Sequence, residues 1–408
     1  MLTTLPYTRD LVLIGGGHAH ALVLKAWGMN PLPGARLTLI NPGPTAPYTG
    51  MLPGYIAGHY RRDELEIDLV RLCRHAGARL IMDRSLDINQ SRHEIILGSR
   101  GPVGYDIASI NVGITAGLNV PGFSTYGISA KPLNAYADRW NLFKSQVVKG
   151  YTTPDVVVIG GGVAGCELAM AMAYALQAKG ISPRVTVIEL GSQISGVGSK
   201  VQHQILMAMA NLGIVIKTGL KVVGVTENQV LLDGHQPIAA TLCVGAAGGV
   251  AQDWITQTNL PQKDGFIKVS SDLGVVGDDA LFAVGDCALM ANGLLPKAGV
   301  FAVRAAPILH HNMRATLTGR KRNHWKPQKK YLKLISVGEK SAIAEKMGVA
   351  IAGRLMWLWK NKIDRAFMKR LRDFPEMVAP TVTSELAAGV AEILATKPLC
   401  GGCGAKVG

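Results

Sequence analysis

The 408-residue sequence has no run of about 18 uninterrupted apolar residues, which excludes a membrane-spanning helix. It also lacks a basic segment ahead of its first apolar run. Leu11-Val12-Leu13-Ile14 leads straight into glycines, as a strand does, so no signal peptide is expected. Cysteine is scarce. Of the six present, Cys73, Cys166, Cys243 and Cys287 stand singly and only Cys400 and Cys403 form a close pair, which suits a reduced cytosolic protein better than a disulfide scaffold. Acids are few, 28 against 43 Lys and Arg, and the resulting net charge of +15 is unevenly placed. Residues 320–372 hold 16 Lys and Arg against three acids, so the rest of the chain is close to neutral. Such a block is either a solvated face or a contact for an anionic surface, membrane or nucleic acid.

What is abundant is apolar residues, 48% of the chain, and glycine, 48 residues. The length allows two or three domains, each with its own core. The glycines include an internal duplication. Leu11-Val12-Leu13-Ile14-Gly15-Gly16-Gly17 recurs as Val156-Val157-Val158-Ile159-Gly160-Gly161-Gly162, each copy followed by an Ala/Leu-rich helical segment. Strand, glycine turn and helix in that order make a dinucleotide fingerprint: backbone N–H groups approach a pyrophosphate and the helix N-terminus faces its charge. The second copy is complete, with Gly160, Gly162 and Gly165, and the next strand, Val185–Ile188, ends at Glu189. A carboxylate there accepts both ribose hydroxyls of an adenosine and repels a 2′-phosphate, so NADH is expected over NADPH. The first copy departs from the rule. Gly15 and Gly17 are present, but His20 takes the third position and Asn41 the place of the acid. Asn41 can still hydrogen-bond a ribose without charge. His18 and His20 are read as packing or phosphate-adjacent groups, and no metal is expected.

Two further segments bear on the first site. Tyr105-Asp106 precedes a strand ending Asn111-Val112-Gly113, and Leu281-Phe282-Ala283-Val284 runs into Gly285-Asp286. Together these pieces resemble the pyridine nucleotide–disulfide oxidoreductase superfamily over roughly residues 9–320. The resemblance implies an α/β fold with two Rossmann-like dinucleotide-binding domains and a small C-terminal α+β region. The FAD domain is discontinuous (1–119 and 253–319), the NAD(H) domain is inserted (120–252), and the basic region spans 320–373. It also implies that Gly285-Asp286 binds the ribityl chain of FAD, with Gly15, Gly17, His18, Asn41 and Gly113 as further FAD contacts. NADH then falls to Gly160, Gly162, Gly165 and Glu189.

Disulfide reductases of this superfamily carry Cys-x4-Cys on the helix after the first nucleotide-binding strand pair. The matching segment here, Pro47-Tyr48-Thr49-Gly50-Met51-Leu52-Pro53-Gly54, has no cysteine. Electrons must therefore go to an acceptor that reaches the isoalloxazine directly. That pattern resembles the type II NADH dehydrogenases and the related sulfide:quinone oxidoreductases. Neither Cys166 nor Cys287 is an obvious sulfide trap, which favours the dehydrogenase side. In relatives the stretch Pro296–Arg304 opens a helix facing the flavin pyrimidine, so Lys297 is expected to stabilise reduced flavin; the alternative is a surface lysine. Glu167 either orients the nicotinamide or relays a proton, or merely favours the first turn of its helix.

Beyond residue 318 two short strands are expected near Tyr331–Val337 and Ser341–Glu345, then an amphipathic helix over Arg354–Arg372. Trp359, Ile363, Phe367 and Leu371 recur along it at helical spacing among basic residues, with Trp357 nearby. This is the composition of a peripheral membrane binder, and equally of a helix packed on its own flavin domain. Residues 374–398 read as a linker and short helix. The final stretch, 399–408, resembles the glycine-rich start of selenophosphate synthetase (selenide, water dikinase), whose catalytic Cys and Lys match Cys403 and Lys406. That resemblance implies such a domain in cis in a longer protein and raises a selenium species as acceptor beside the default, a quinone. The expected location is cytoplasmic, with peripheral contact to the inner membrane face through 354–372, and no nucleic acid is expected as a partner. A flavin-bearing docking module without turnover is the non-enzymatic alternative.

Overall fold

The computed structural model describes residues 7–374, apart from 292, 294 and 347. Near-continuous Val, Ile and Leu runs suit strands buried on both faces, and parallel sheets covered by helices need such strands. Leu11–Ile14 and Val156–Val158 are at most 1% exposed, and each run is the central strand of a five-stranded sheet. The first sheet runs Leu281–Ala283, Ile107–Ile110, Arg9–Ile14, Ala35–Asn41, Arg79–Met82, all parallel. The second runs Gly127–Ser129, Leu242–Gly245, Asp155–Ile159, Arg184–Glu189, Val215–Thr218, again all parallel.

The sequence repeat is thus also a topological one. In each sheet the strand leading into the glycine turn is flanked by the next strand in the chain on one side and a later one on the other. The outermost strand beyond the latter differs. In the first sheet Leu281–Ala283 returns from far along the chain, delivering Gly285 and Asp286 to the same sheet end as Gly15. Ligands of open parallel sheets bind at that carboxyl end.

The basic region forms a three-stranded antiparallel sheet, Lys333–Ser336, Ala342–Lys346 and Val349–Gly353, followed by a helix over Arg354–Arg372. The helix has the bounds expected from its periodicity, but only the Phe367–Leu371 half of the expected stripe packs. Trp359 and Ile363 are 45% and 40% exposed, while Trp357, Lys360, Asp364, Met368 and Leu371 are buried. Lys360 and Asp364 can face inward because they satisfy each other, Nζ to Oδ2 at 2.7 Å, and Lys360 also donates to Gly50 O at 2.7 Å. Polar groups go inside when every bond is met. No helix among the described residues is long and apolar enough to cross a membrane.

His20 explains how the first glycine turn tolerates a missing third glycine. In the second turn a Cβ on Gly165 would lie 2.0 Å from Gly160 O, so the residue there must be glycine. In the first, the fully buried His20 ring reaches the equivalent carbonyl, Nδ1 to Gly15 O at 2.7 Å, with Nε2 2.8 Å from Ser109 Oγ. A carbonyl only accepts, so Nδ1 carries the hydrogen and Nε2 of the neutral ring accepts from Ser109. Burial pushes the imidazole pKa down to about 4 from 6.5. The folded pKa lies below the unfolded one, so this contribution is complete above pH 6.5 and is lost as pH falls toward 4. It amounts to about 3 kcal/mol. Denaturant melts of the cofactor-free protein should show a steep loss of stability across that window, and a shallower one in His20→Asn. Parallel curves for the two proteins would contradict this role.

Candidate functional site

Both glycine turns are built the same way. Gly15 and Gly160 sit at positive φ, +87° and +115°, and a Cβ on either would lie 2.6 Å from backbone, Asn111 O and Ala247 N respectively. The next residue in each turn donates its N–H to the side chain ending the neighbouring strand. Gly16 N donates to Asn41 Oδ1 at 2.9 Å, and Gly161 N donates to Glu189 Oε2 at 2.6 Å. Glu189 Oε1 also accepts from Gly191 N at 2.8 Å. Asn41 therefore does the structural half of an acid's work, while Glu189 adds the charge.

The helices that follow, His18–Met29 and Val163–Gln177, start at Gly17 and Gly162 with no side-chain cap and no acid in the first turn. Their leading N–H groups are therefore available to an anion. Glu167 is the fifth residue of its helix, so the reading that it merely favours the first turn does not hold. Asn111 braces the first site, donating to Val284 O at 2.8 Å while its buried Oδ1 is unpartnered among protein atoms. This cradle of glycines, uncapped helix start and orphaned acceptor fits a dinucleotide. Gly113, at φ +71°, follows the strand end beside it.

Asp286 lies 3.6 Å from Lys131 Nζ, the one ion pair among the described residues that joins 120–252 to the rest. His18, first residue of its helix, feels both charges and packs its ring 5.2 Å from Tyr48 and 5.8 Å from Phe367. A Cβ on Gly299, which opens the helix Gly299–Leu317, would lie 3.1 Å from His18 Nδ1. Lys297 shares a cavity of about 30 Å³ with Gly285, Asp286, Phe301 and Trp325. Its Nζ donates to Ala288 O at 2.9 Å and lies 3.8 Å from the Phe266 ring centre, so the structure ties it to its own wall.

A second cluster stands where the two nucleotide units and the basic helix meet. Glu167 Oε1 accepts from Ser336 N at 2.7 Å, and burial raises its pKa to about 7 against the opposing pull of Lys360. Lys360 is bonded to Asp364, and Tyr48 Oη donates to Asp364 Oδ1 at 2.9 Å. Tyr48, Lys360 and Asp364 were not anticipated from the sequence. The available signals were a Lys/Asp pair at i, i+4 and a tyrosine in the segment that lacks the dithiol.

The thiols among the described residues are poor nucleophiles. Cys166 and Cys287 are fully buried, and burial pushes their pKa up to about 12 and about 11. A sulfide trap needs an accessible thiolate.

Comparison with known proteins agrees with this architecture. The family model for pyridine nucleotide-disulphide oxidoreductases matches residues 9–315. A demethylphylloquinone reductase of Synechocystis is 27% identical over 264 residues, 59% of this chain and 63% of that protein. A rubredoxin-NAD(+) reductase of Pseudomonas putida is 31% identical over 151 residues, 34% of this chain and 36% of its own. The chain thus spans less than two thirds of these curated relatives. Among solved structures, NDH2 of Plasmodium falciparum in complex with NADH superposes with a TM-score of 0.77 at 14% identity, covering 88% of this chain and 98% of that one. The sulfide:quinone oxidoreductase of Aquifex aeolicus gives 0.74 at 16% identity, covering 90% and 92%. The chain belongs to the pyridine nucleotide-disulphide oxidoreductase family.

Proposed function

We propose that this protein oxidises NADH and passes the electron pair to a small external acceptor. The observation that carries this reading is the segment 47–54, which has no cysteine and whose Tyr48 leads instead into the Asp364–Lys360 pair. FAD, when bound, supplies the two-electron chemistry that links the donor to the acceptor. Gly15, Gly17, His18, Asn41, Gly113, Gly285 and Asp286 would hold it, in a unit made of 1–119 and 253–319. Gly160, Gly162, Gly165 and Glu189 would hold NADH in the unit 120–252. Lys297 lines the cavity beside Asp286, where its charge favours electron-rich states nearby.

The net reaction, NADH + H⁺ + A giving NAD⁺ + AH₂, takes one proton from solvent per turnover. Glu167 can orient the nicotinamide or relay that proton on its way in, since a carboxyl whose pKa burial raises to about 7 both holds and releases a proton near neutrality. A sulfide:quinone reading is less favoured because the described cysteines are buried.

A quinone is the default acceptor. It draws support from an exposed apolar strip, Val349, Ile351, Leu355, Leu358, Trp359 and Ile363, rimmed by Arg354, Lys362 and Arg365. Apolar and basic residues so arranged suit peripheral attachment to an anionic bilayer. The alternative acceptor, a selenium species serving a selenophosphate synthetase domain in cis, draws on Cys403 and Lys406, which lie outside the described residues.

Steady-state assays of NADH against soluble quinones, selenite and elemental selenium test the reading. Turnover with quinone alone would sink the selenium alternative, and bound flavin left oxidised by NADH would favour the docking module. Glu189→Ala should raise KM for NADH roughly tenfold or more with kcat little changed, as loss of charged hydrogen bonds to a ribose requires. Equal activity of the parent with NADPH would overturn that preference. Glu167 is protonated below about pH 7, so acceptor reduction should fall as pH rises through 7, and Glu167→Gln should lose that limb. Co-sedimentation with vesicles containing anionic lipid should weaken with salt and in Leu355→Ser/Trp359→Ser; unchanged binding would remove the strip from the contact.

A further inference from the structure

The basic helix is inside out. It leaves Leu355 73% exposed, with Leu358, Trp359 and Ile363 also outside, and turns Lys360 and Asp364 inward at 7% and 4% exposure. Taking two charges out of water costs several kcal/mol per ion before their attraction is counted. Such a pair is held in place by what it touches. Lys360 Nζ donates to Gly50 O and Asp364 Oδ2, each at 2.7 Å, and Asp364 Oδ1 accepts from Tyr48 Oη at 2.9 Å.

Two observations place this chain of bonds between the nucleotide sites. The Tyr48 ring packs 5.2 Å from His18, the first residue of the helix after the first glycine turn, and 4.8 Å from Phe367. At the other end Lys360 and Asp364 both act on Glu167, in the helix after the second glycine turn. The other titratable groups facing the cluster are Tyr60, whose Oη donates to Asn361 Oδ1 at 3.0 Å, and the Glu64–Arg365 pair beyond it. Tyr60 and Glu64–Arg365 mark a path toward solvent, Arg365 being exposed.

We propose that Tyr48 and Asp364 deliver the solvent proton to the reduced acceptor, Tyr48 Oη as the catalytic donor and Asp364 as the positioning group that reloads it. The inference rests on the NADH-to-acceptor reading above. In the loaded state Asp364 carries a proton bonded to Tyr48 Oη. As the acceptor takes the electron pair that NADH supplied, the Tyr48 O–H bond breaks and a bond from that hydrogen to the acceptor forms. The Asp364 proton moves to Tyr48 Oη in the same event. Asp364 is left as a carboxylate held by Lys360 and by the renewed Tyr48 hydroxyl, which is the arrangement seen in the structure. Solvent then returns one proton to Asp364. Burial raises the Asp364 pKa, which favours reloading.

Anaerobic stopped-flow on the holoenzyme separates this proposal from the reading beneath it. In Tyr48→Phe and Asp364→Asn, bleaching of flavin by NADH should proceed at close to the parent rate. Reoxidation by a soluble benzoquinone should be roughly tenfold to a hundredfold slower. A readout independent of turnover is tyrosinate absorbance in the cofactor-free protein. Asp364→Asn should bring the ionisations of Tyr48 and Tyr60 to lower pH, and Tyr48→Phe should remove one of the two. Reoxidation at the parent rate in Tyr48→Phe overturns the proposal even where Asp364→Asn does not fold, as does an unmoved tyrosine titration. Failure of NADH to bleach the parent flavin overturns the underlying reading instead.

Discussion

A glycine N–H held by the side chain at the end of the next strand is the bond on which both candidate nucleotide sites depend. It occurs twice, Gly16 to Asn41 and Gly161 to Glu189, and each time it fixes the turn between a buried central strand and an uncapped helix. With the turn fixed, the helix N-terminus points its unspent N–H groups at one place beyond the sheet. The two copies differ in what this side chain adds and in the third glycine position, where His20 stands in the first and Gly165 in the second. An amide closes the first turn without charge, and a carboxylate closes the second with both oxygens already aligned by Gly161 and Gly191.

Beside these two turns the segment 47–54, which has no cysteine, carries a hydrogen-bonded side-chain cluster. The segment that would carry a dithiol packs Tyr48 against His18 and bonds it to Asp364. The four described cysteines sit in apolar surroundings as small hydrophobes. Lys131, reaching Asp286 from 120–252, adds an ionic tie between the two nucleotide units at the place where the family resemblance puts the ribityl chain.

Much of the scaffold was legible because its signals are local. Apolar runs ending in glycines marked the central strands, and helical periodicity marked Arg354–Arg372 with its observed bounds. The third strand of the small sheet, Val349–Gly353, was not read, since its alternation is half exposed and short. The inward turn of Lys360 and Asp364 on the basic helix was not legible, for a physical reason. Periodicity ranks residues by hydropathy, and Lys360 and Asp364 rank as surface until their partners are known. Those partners, Gly50 and Tyr48, lie 310 and 316 residues away in the chain. His20 was legible as a departure from the fingerprint, but its bond to Gly15 O needed coordinates.

The segment 47–54 holds no cysteine, so in the proposed reaction the electron pair passes from NADH through the flavin to an external acceptor without a dithiol at that place. Anaerobic titration of the holoenzyme with NADH tests this most directly. Complete bleaching at one NADH per FAD, with no further equivalent consumed, is the result predicted. Uptake of a second equivalent would reveal an internal redox pair and contradict direct transfer to an external acceptor.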